Sequence, residues 1–234
     1  RSEYDIQNQS FAEMDEDPHI AEWLEQFTLW DASSVEWLHF NEIQKHDINL
    51  TLQKRYALLQ WEQGSGKTLA GIATGLYRMQ HQRIHSTWVV SSAISIRNNW
   101  NVVLPNFDIP CVFVKRLSDL ERIRPGVFVL LTLNMVSTHK KRLRKYLKCL
   151  GRNIQLILDE SDEISNPNSA RCQAVLSCFR RCRMKLLTTG TSTRNNILEF
   201  APQLELLYNN SINMISWNPY IYRHCLQSTV EDET

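Results

Sequence analysis

The stretch from Tyr56 to Thr74 constrains the fold more than any other part of this chain of 234 residues. The short apolar run from Tyr56 to Leu59 predicts a buried parallel strand, and the sequence GSGKT follows at Gly64 to Thr68. Apolar residues then recur at helical spacing through the next eight positions. Strand, glycine-containing loop and helix in this order predict a P-loop, the element that binds nucleotide phosphates.

Each position of this loop has a chemical role in binding ATP. Glycines let backbone amides close around phosphate oxygens, and the start of the following helix adds the positive end of its dipole. Lys67 provides a charge for the outer phosphates, and the hydroxyl of Thr68 is a ligand for Mg²⁺. Trp61 stands where the full P-loop pattern has glycine, but the flanking strand and helix make a chance match on a surface turn the weaker interpretation. The residues of the loop predicted to bind ATP are Gln63, Gly64, Ser65, Gly66, Lys67 and Thr68.

A second motif supplies the acidic partner that a P-loop requires. The apolar run over residues 154–158 predicts a strand, and it ends at Asp159 and Glu160. The first carboxylate is expected to hold Mg²⁺, and the second is expected to orient or deprotonate the attacking water. Lys67, Asp159 and Glu160 are therefore the predicted catalytic residues.

Apolar runs that end in polar residues recur along the chain and alternate with stretches of helical spacing. This alternation predicts an α/β fold, a three-layer α/β/α P-loop domain with a mostly parallel sheet. The polar residues that follow the strands should meet at the carboxyl edge of the sheet, where such folds bind ligands. The six predicted strands cover residues 56–59, 88–90, 111–114, 127–132, 154–158 and 184–188.

The N-terminal residues predict a helical preface to this domain. Residues 1–16 are polar and acidic without a sustained period, which indicates a flexible or loosely docked arm. Asp17 followed by Pro18 is typical of a helix start, and Ser33 with Glu36 matches a capping box that predicts a second helix. The predicted segments are an acidic arm and helical preface (1–49), an ATP-binding domain (50–208), and a tail or linker (209–234).

Composition indicates where the protein works. No apolar run reaches the roughly 18 residues of a membrane span, and the N-terminus lacks a signal-peptide pattern, so we expect an intracellular protein without a membrane partner. The six cysteines include no C-x-x-C pair, which argues against a structural zinc site and favours reduced thiols. The first residue is Arg1 rather than methionine, so we expect a piece of a longer protein.

Charge is distributed unevenly along the chain. Residues 1–42 contain eleven acidic residues and one basic residue, whereas residues 43–230 contain twenty-five basic and eleven acidic residues. A basic body suits a polyanionic partner. The most basic stretch, residues 137–150, has a narrow apolar seam and is either a solvated outer helix or a phosphate-binding surface.

Five segments together resemble the motifs of the first RecA-like motor domain of superfamily-two helicases, and among these the Swi/Snf-type DNA translocases. WEQGSGKT resembles motif I, VVSSAISIRNNW resembles motif Ia, and LLTLNM occupies the place of motif Ib. LILDESDEISNPNSA resembles motif II with its Swi/Snf extension, and LLTTGTSTRNN resembles motif III. The likeness covers residues 50–208 in matching order and spacing. It implies a RecA-like fold, ATP and Mg²⁺ as cofactors, and movement along DNA driven by ATP hydrolysis.

The resemblance also implies roles for residues outside the P-loop. Motifs Ia and Ib are expected near the nucleic-acid track, and motif III is expected to couple that track to the phosphates. An upstream glutamine reads adenine in these families; Gln44 is the candidate by its distance from the P-loop, and Gln53 is the rival. A second RecA-like domain, whose arginines stabilise the transferring phosphate, is expected in the parent chain. The implied nucleic-acid residues are Ser91, Ser92, Trp100 and Thr132, and the implied coupling residues are Thr189, Gly190 and Thr191.

Two departures from the Swi/Snf pattern leave alternatives open. Asp162 gives the acidic box the D-E-x-D form of RNA helicases, and Ser192 replaces the usual proline of motif III. The asparagine pair at Asn195 and Asn196 and the extension after the box favour DNA. The alternatives are an RNA helicase and a nucleotide-dependent nucleic-acid-binding module without turnover. A small-molecule kinase would need an acceptor-binding lid, which the sequence does not show.

Overall fold

A six-stranded parallel sheet organises the computed structural model, which describes residues 3–62, 64–190 and 200–208. The strands in these residues are β1 Leu29–Asp31, β2 Glu36–Leu38, β3 Tyr56–Gln60, β4 Ser86–Ser91, β5 Cys111–Phe113, β6 Phe128–Thr132, β7 Ile154–Asp159 and β8 Met184–Thr189. The sheet has the order β3-β8-β7-β4-β6-β5, and every neighbouring pair is parallel. The carboxyl ends of all six strands therefore lie at one edge.

Helices flank this sheet. A π-helical turn at Ile96–Trp100 joins α5 to α6, and short 3-10 segments lie at Phe11–Glu13, Leu117–Arg122 and Ser161–Ile164. The α-helices of the described residues are α1 Glu3–Asn8, α2 Pro18–Gln26, α3 Glu42–Gln53, α4 Lys67–His81, α5 Ala93–Ser95, α6 Asn101–Asn106, α7 Leu133–Thr138, α8 Lys140–Cys149, α9 Ala170–Phe179 and α10 Ala201–Leu207.

The two faces of the sheet carry two separate hydrophobic cores. Successive side chains of a strand point to opposite faces, so Val129 and Leu131 pack with α7, α8 and α9, whereas Phe128 and Leu130 pack with α3 and α4. All four side chains are buried. Because each face is covered by helices, the predicted three-layer α/β/α fold class is confirmed.

The second helix predicted in the preface is wrong, because residues 29–38 form an antiparallel hairpin of β1 and β2. The carboxylate of Asp31 accepts hydrogen bonds from the backbone N–H groups of Ser33 at 2.8 Å and Ser34 at 3.3 Å. These bonds turn the chain back instead of starting a helix. Trp30 and Trp37 then pair across the strands with ring centroids 5.3 Å apart.

Helices α2 and α3 each start at a side-chain cap. Asp17 caps α2 as predicted, because its carboxylate accepts from the N–H groups of His19 and Ile20. The capping box of the following helix is formed by Asn41 and Gln44, which start α3. The boundary predicted between residues 49 and 50 falls inside α3, so the preface and the ATP-binding domain share a helix.

The arm predicted to be flexible or loosely docked is held against the edge strand β3. The side-chain amide of Gln7 donates to the carbonyl of Tyr56 at 2.9 Å and accepts from the N–H of Arg55 at 2.9 Å. The ammonium of Lys54 donates to the carbonyl of Gln7 at 3.3 Å and lies 4.3 Å from the ring centroid of Phe11. These contacts satisfy backbone groups at the start of β3.

The basic stretch predicted as one helix over residues 137–150 is divided between the end of α7 and the whole of α8. Leu143 and Leu147 of α8 are buried, and its basic side chains are exposed.

Among the described residues, no helix has the length and apolar character needed to cross a membrane. The five cysteines of the described part are free thiols. Burial raises the pKa of Cys172 and Cys178 to about 11 and the pKa of Cys182 to about 12, so these three thiols stay protonated and unreactive at neutral pH.

Candidate nucleotide-binding site

The P-loop lies where β3 ends at the carboxyl edge of the sheet and α4 begins. Gly64 and Gly66 have φ angles of +83° and +90°, in the left-handed region that favours glycine. Gly66 is the N-cap of α4, so the N–H groups of Lys67 and Thr68 belong to the first turn of this 15-residue helix. This is the arrangement of an anion-binding helix start. Gln63 lies outside the described residues.

The side chain of Lys67 reaches the neighbouring strand β8. A Cβ atom added to Gly190, directly after β8, would lie 3.1 Å from the Lys67 ammonium nitrogen. A side chain at position 190 would therefore crowd the lysine. In the P-loop, a Cβ atom added to Gly66 would lie 2.9 Å from Nε2 of Gln44.

Gln44 contacts the P-loop directly. Its side-chain amide donates to the carbonyl of Ser65 at 2.8 Å and accepts from the N–H of Asn41 at 3.0 Å. The rival, Gln53, instead donates to the carbonyl of Asp15 and to the side chain of Asn49. The structure therefore places Gln44, not Gln53, at the loop, while its contact with adenine stays a prediction.

Asp159 is buried at the end of β7 and accepts four hydrogen bonds. Its Oδ1 accepts from the hydroxyl of Thr188 at 2.8 Å and from the N–H of Glu160 at 3.1 Å. Its Oδ2 accepts from the indole N–H of Trp100 at 2.9 Å and from the hydroxyl of Ser95 at 3.2 Å. The carboxylate is thus held by a hydroxyl of β8, by the backbone N–H of the residue that follows β7, and by two side chains of residues 93–100.

Glu160 has φ 55° and ψ 52°, a left-handed conformation that is uncommon for a residue with a side chain. Its Oε2 accepts a hydrogen bond from the hydroxyl of Ser92 at 2.9 Å, and the hydroxyl of Ser91 lies 3.3 Å away. The unusual backbone directs the second carboxylate of the pair back across the ends of β7 and β4. Asp159 and Glu160 therefore occupy different surroundings.

Thr68 lies on the same cavity as both carboxylates. Its hydroxyl oxygen accepts a hydrogen bond from the side-chain amide of Asn99 at 2.9 Å. The cavity has a volume of about 360 Å³. Its lining consists of Gly64, Gly66, Lys67, Thr68, Leu69, Ser95, Asn99, Asp159 and Glu160.

The donor set fits Mg²⁺. Mg²⁺ prefers oxygen ligands and is usually bound through one or two protein groups together with substrate phosphates and water. The hydroxyl of Thr68 and the carboxylate of Asp159 are such ligands, and both line the cavity. In the residues that the structure describes, no group of three or more His, Cys, Asp or Glu side chains forms a separate metal cluster.

Comparison with known proteins shows similarity to one group of ATPases. The chain is 25% identical over 193 residues to the chromatin-remodeling ATPase INO80 of Arabidopsis thaliana, and 29% identical over 174 residues to the protein of that name in Cryptococcus neoformans. It is 24% identical over 189 residues to the probable ATP-dependent DNA helicase CHR12 of Arabidopsis thaliana. These matches cover 73%, 64% and 75% of this chain but only 12%, 9% and 17% of the three relatives. No protein-family profile matches the chain.

A solved structure shares the fold. The Sulfolobus solfataricus SWI2/SNF2 ATPase core in complex with dsDNA matches with a TM-score of 0.62 and 16% identity, over 76% of this chain and 38% of that chain. The relatives found by sequence and the order of the motifs both point to the same group of ATPases. In sequence this chain resembles Swi/Snf-type ATPases, and in fold it resembles a SWI2/SNF2 ATPase core. The chain spans less than a fifth of the length of these three curated relatives.

Three of the four residues implied to lie near the nucleic-acid track are buried. Trp100 is 1% exposed, and its N–H is directed at Asp159. Ser91 is fully buried, and its hydroxyl lies between the backbone carbonyl of Asp159 and the carboxylate of Glu160. Thr132 is buried and caps α7 by accepting from the N–H of Met135. Their polar side-chain groups form hydrogen bonds inside the domain, so a place near the nucleic-acid track stays a prediction for these three residues.

Ser92 is the half-buried member of the implied nucleic-acid set, and it links motif Ia to Glu160. In motif III, Thr189 is buried and its hydroxyl lies 3.4 Å from Oδ1 of Asp162, which joins the motif to the acidic box. Thr191 lies outside the described residues, as do Ser192, Asn195 and Asn196.

Sequence reasoning missed several residues that support this site. Thr188 precedes the predicted coupling residues and bonds Asp159. Ser95 and Asn99 lie in the segment that resembles motif Ia, yet they contact the predicted Mg²⁺ ligands. A signal was present, because Ser95 and Asn99 are four positions apart and so share one face of a helix. Nothing in the local sequence indicates which partner that face meets.

Proposed function

We propose that this chain is the first motor lobe of a Swi/Snf-type translocase that binds ATP with Mg²⁺ and couples its hydrolysis to movement along DNA. The observation that carries the proposal is the convergence of Lys67, Thr68, Asp159 and Glu160 on one cavity. A chance GSGKT sequence on a surface turn would not be expected to face an acidic pair held by hydrogen bonds. The intact set also argues against a binding module that has lost turnover.

The residues of the cavity have separable roles. The loop amides and Lys67 would hold the outer phosphates, and Thr68 and Asp159 would be the protein ligands of Mg²⁺. When bound, Mg²⁺ offsets the negative charge of the phosphate oxygens. Glu160 would orient the attacking water and accept its proton, and the hydroxyl of Ser92 holds one oxygen of its carboxylate.

A second RecA-like lobe would complete the motor. In this family the second lobe supplies arginines to the transferring phosphate, a contribution on the order of 10³–10⁵ in rate for comparable arginines. The chain spans a small part of its curated relatives, which is consistent with such a lobe in the parent protein. Without it, we expect ATP binding with very slow turnover.

DNA is the proposed track. One structural neighbour was solved with dsDNA, and the curated relatives are named as chromatin-remodeling ATPases and a DNA helicase. These names support duplex DNA over RNA and a nuclear, intracellular location. The D-E-x-D alternative rests on Asp162, whose contact with Thr189 is equally compatible with either polymer.

The test is calorimetric titration of the protein with ATP in the presence of Mg²⁺, beside the variant Lys67→Ala. The parent should bind, and the variant should lose affinity by about 10- to 100-fold because charged hydrogen bonds to phosphate are removed. Lys148→Ala is the matched control, since Lys148 is an exposed lysine on α8. Equal binding by Lys67→Ala and the parent would refute the assignment.

Movement on DNA is tested in the full-length protein. Its ATP turnover should rise when duplex DNA is added, and duplex RNA of the same sequence should stimulate less. A larger response to RNA would move the protein to the D-E-x-D branch.

A further inference from the structure

One helical segment supports both predicted Mg²⁺ ligands from outside the P-loop. The segment consists of α5 and the π-helical turn Ile96–Trp100, and we name it the 93–100 segment. π-Helical turns are rare and occur frequently at functional sites. Ser95, Asn99 and Trp100 of this segment all direct polar groups toward the nucleotide cavity.

The contacts divide between the two ligands. The side-chain amide of Asn99 donates to the hydroxyl oxygen of Thr68 at 2.9 Å. The indole N–H of Trp100 donates to Oδ2 of Asp159 at 2.9 Å, and Ser95 donates to the same oxygen at 3.2 Å. The segment therefore fixes an oxygen of α4 and an oxygen of β7 at the same time.

The indole of Trp100 has no freedom to move away. It is 1% exposed, and it packs against α4 at a glycine: a Cβ atom on Gly71 would lie 2.9 Å from Cη2 of Trp100 and 3.3 Å from Cδ1 of Ile157. A buried N–H without a partner is costly, so the ring and the carboxylate of Asp159 hold each other in place. A hydroxyl donor could rotate toward another acceptor, whereas an indole N–H has one direction and only donates.

We propose that Trp100 and Asn99 are positioning residues for Mg²⁺, which set the orientation of the Asp159 carboxylate and the Thr68 hydroxyl before the ion binds. This inference rests on the proposed function, in which the carboxylate of Asp159 and the hydroxyl of Thr68 are the protein ligands of Mg²⁺. Groups that hold metal ligands in orientation typically contribute about 10- to 100-fold to metal affinity. The rigid indole donor should give the larger effect and the neutral amide of Asn99 the smaller one.

The first experiment compares ATP binding with Mg²⁺ and with EDTA for the parent and Trp100→Phe. Phenylalanine keeps an aromatic ring but removes the N–H. The affinity measured with Mg²⁺ should fall about 10- to 100-fold, while the affinity measured with EDTA stays within about 3-fold of the parent. The difference between the two affinities reports the contribution of Mg²⁺ to binding. A general loss of structure would instead lower both affinities.

Trp88→Phe is the matched control. Trp88 is also fully buried and its indole N–H also donates to a side chain, the hydroxyl of Ser86 at 2.9 Å. It belongs to the core on the opposite face of the sheet from Trp100. Trp88→Phe should therefore leave the Mg²⁺ dependence of ATP binding unchanged, whatever it costs in stability.

Asn99→Ala provides a second variant that is independent of core packing, because Asn99 is only half-buried. Loss of one neutral hydrogen bond corresponds to about a 2- to 10-fold fall in affinity, again confined to titrations with Mg²⁺. The exposed neighbour gives the control Asn98→Ala, which should match the parent.

The outcomes separate this inference from the proposed function. If Trp100→Phe and Asn99→Ala lower binding equally with Mg²⁺ and with EDTA, or not at all, the two residues are structural and the inference is overturned while ATP binding by the parent stands. If the parent itself binds no ATP, the proposed function fails, and the inference fails with it. A loss confined to Mg²⁺ in both variants supports it.

Discussion

Replacing Gly75 with alanine tests how closely the P-loop helix must approach the sheet. Gly75 lies in the middle of α4 and is buried. A Cβ atom there would lie 2.6 Å from Cζ and 2.9 Å from Cε1 of Phe128, and 2.9 Å from Oγ1 of Thr87. Both neighbours belong to interior strands of the sheet, β4 and β6, and are fully buried, so neither can move aside without disturbing the core.

Two effects oppose each other at this position. Alanine is favoured over glycine inside a helix by about 1 kcal/mol. Overpacking a filled core costs about 1–3 kcal/mol, and three distances of less than 3.0 Å place Gly75→Ala in the upper half of that range. The net expectation is a loss of about 1–2 kcal/mol in the free energy of unfolding, which corresponds to roughly 2–8 °C in melting temperature for a domain of this size.

Urea unfolding monitored by circular dichroism measures this loss. Gln80→Ala and Gln80→Gly calibrate the helix preference in the same helix, because Gln80 is exposed. The double variant Gly75→Ala/Phe128→Leu should recover part of the stability, since the ring atoms that meet the new methyl group are removed. A Gly75→Ala protein at least as stable as the parent would refute the packing argument and show that α4 can move outward.

Three further predictions concern chemistry, pH and salt. Glu160→Gln in the full-length protein should bind ATP like the parent but lose about 10²- to 10⁴-fold in turnover, because an amide accepts no proton; normal turnover would remove Glu160 from the catalytic role. Burial lowers the pKa of Lys185 to about 8, so above pH 8 the folded state binds fewer protons than the unfolded chain. The free energy of unfolding of the parent should therefore rise between pH 8 and 9 relative to that of Lys185→Met. Parallel pH profiles for the two proteins would contradict this. Because the surplus of basic over acidic residues in 43–230 favours contact with phosphates, DNA affinity should fall steeply as salt rises and vary little with sequence; salt-independent binding would exclude an electrostatic interface.

The role of the acidic residues in 1–42 cannot be tested by deleting the segment. An acidic segment that folds back onto a basic surface competes with nucleic acid for that surface, and deleting residues 1–42 is the obvious test of such competition. However, Ile20 and Leu24 of α2 are buried in the core beside α3 and α4, and Gln7 bonds the start of β3. Deletion would therefore damage the fold. Replacing exposed carboxylates such as Glu22 and Glu36 with glutamine changes the charge without removing core contacts.

The sequence by itself determined the strands of the parallel sheet and the polar motifs that follow them. Alternation of apolar runs with helical spacing is a local property, so it predicted all six strands of the parallel sheet. The P-loop and the acidic pair were readable for the same reason, since each is a short motif attached to one strand. The hairpin at residues 29–38 was missed because Ser33 and Glu36 satisfy a helix cap in letters, while the carboxylate of Asp31 forms the turn.

Only the tertiary structure decided which side chains meet around the site. Trp100 and Asp159 are 59 residues apart in sequence, and Asn99 and Thr68 are 31 apart. They meet because β4 pairs with β7 at the centre of the sheet and the 93–100 segment leaves the end of β4 beside α4. Strand order arises from the packing of the whole chain, and no local pattern encodes it. For that reason the sequence could not show that Trp100, which was expected near the nucleic-acid track, is a buried hydrogen-bond donor to the carboxylate expected to hold Mg²⁺.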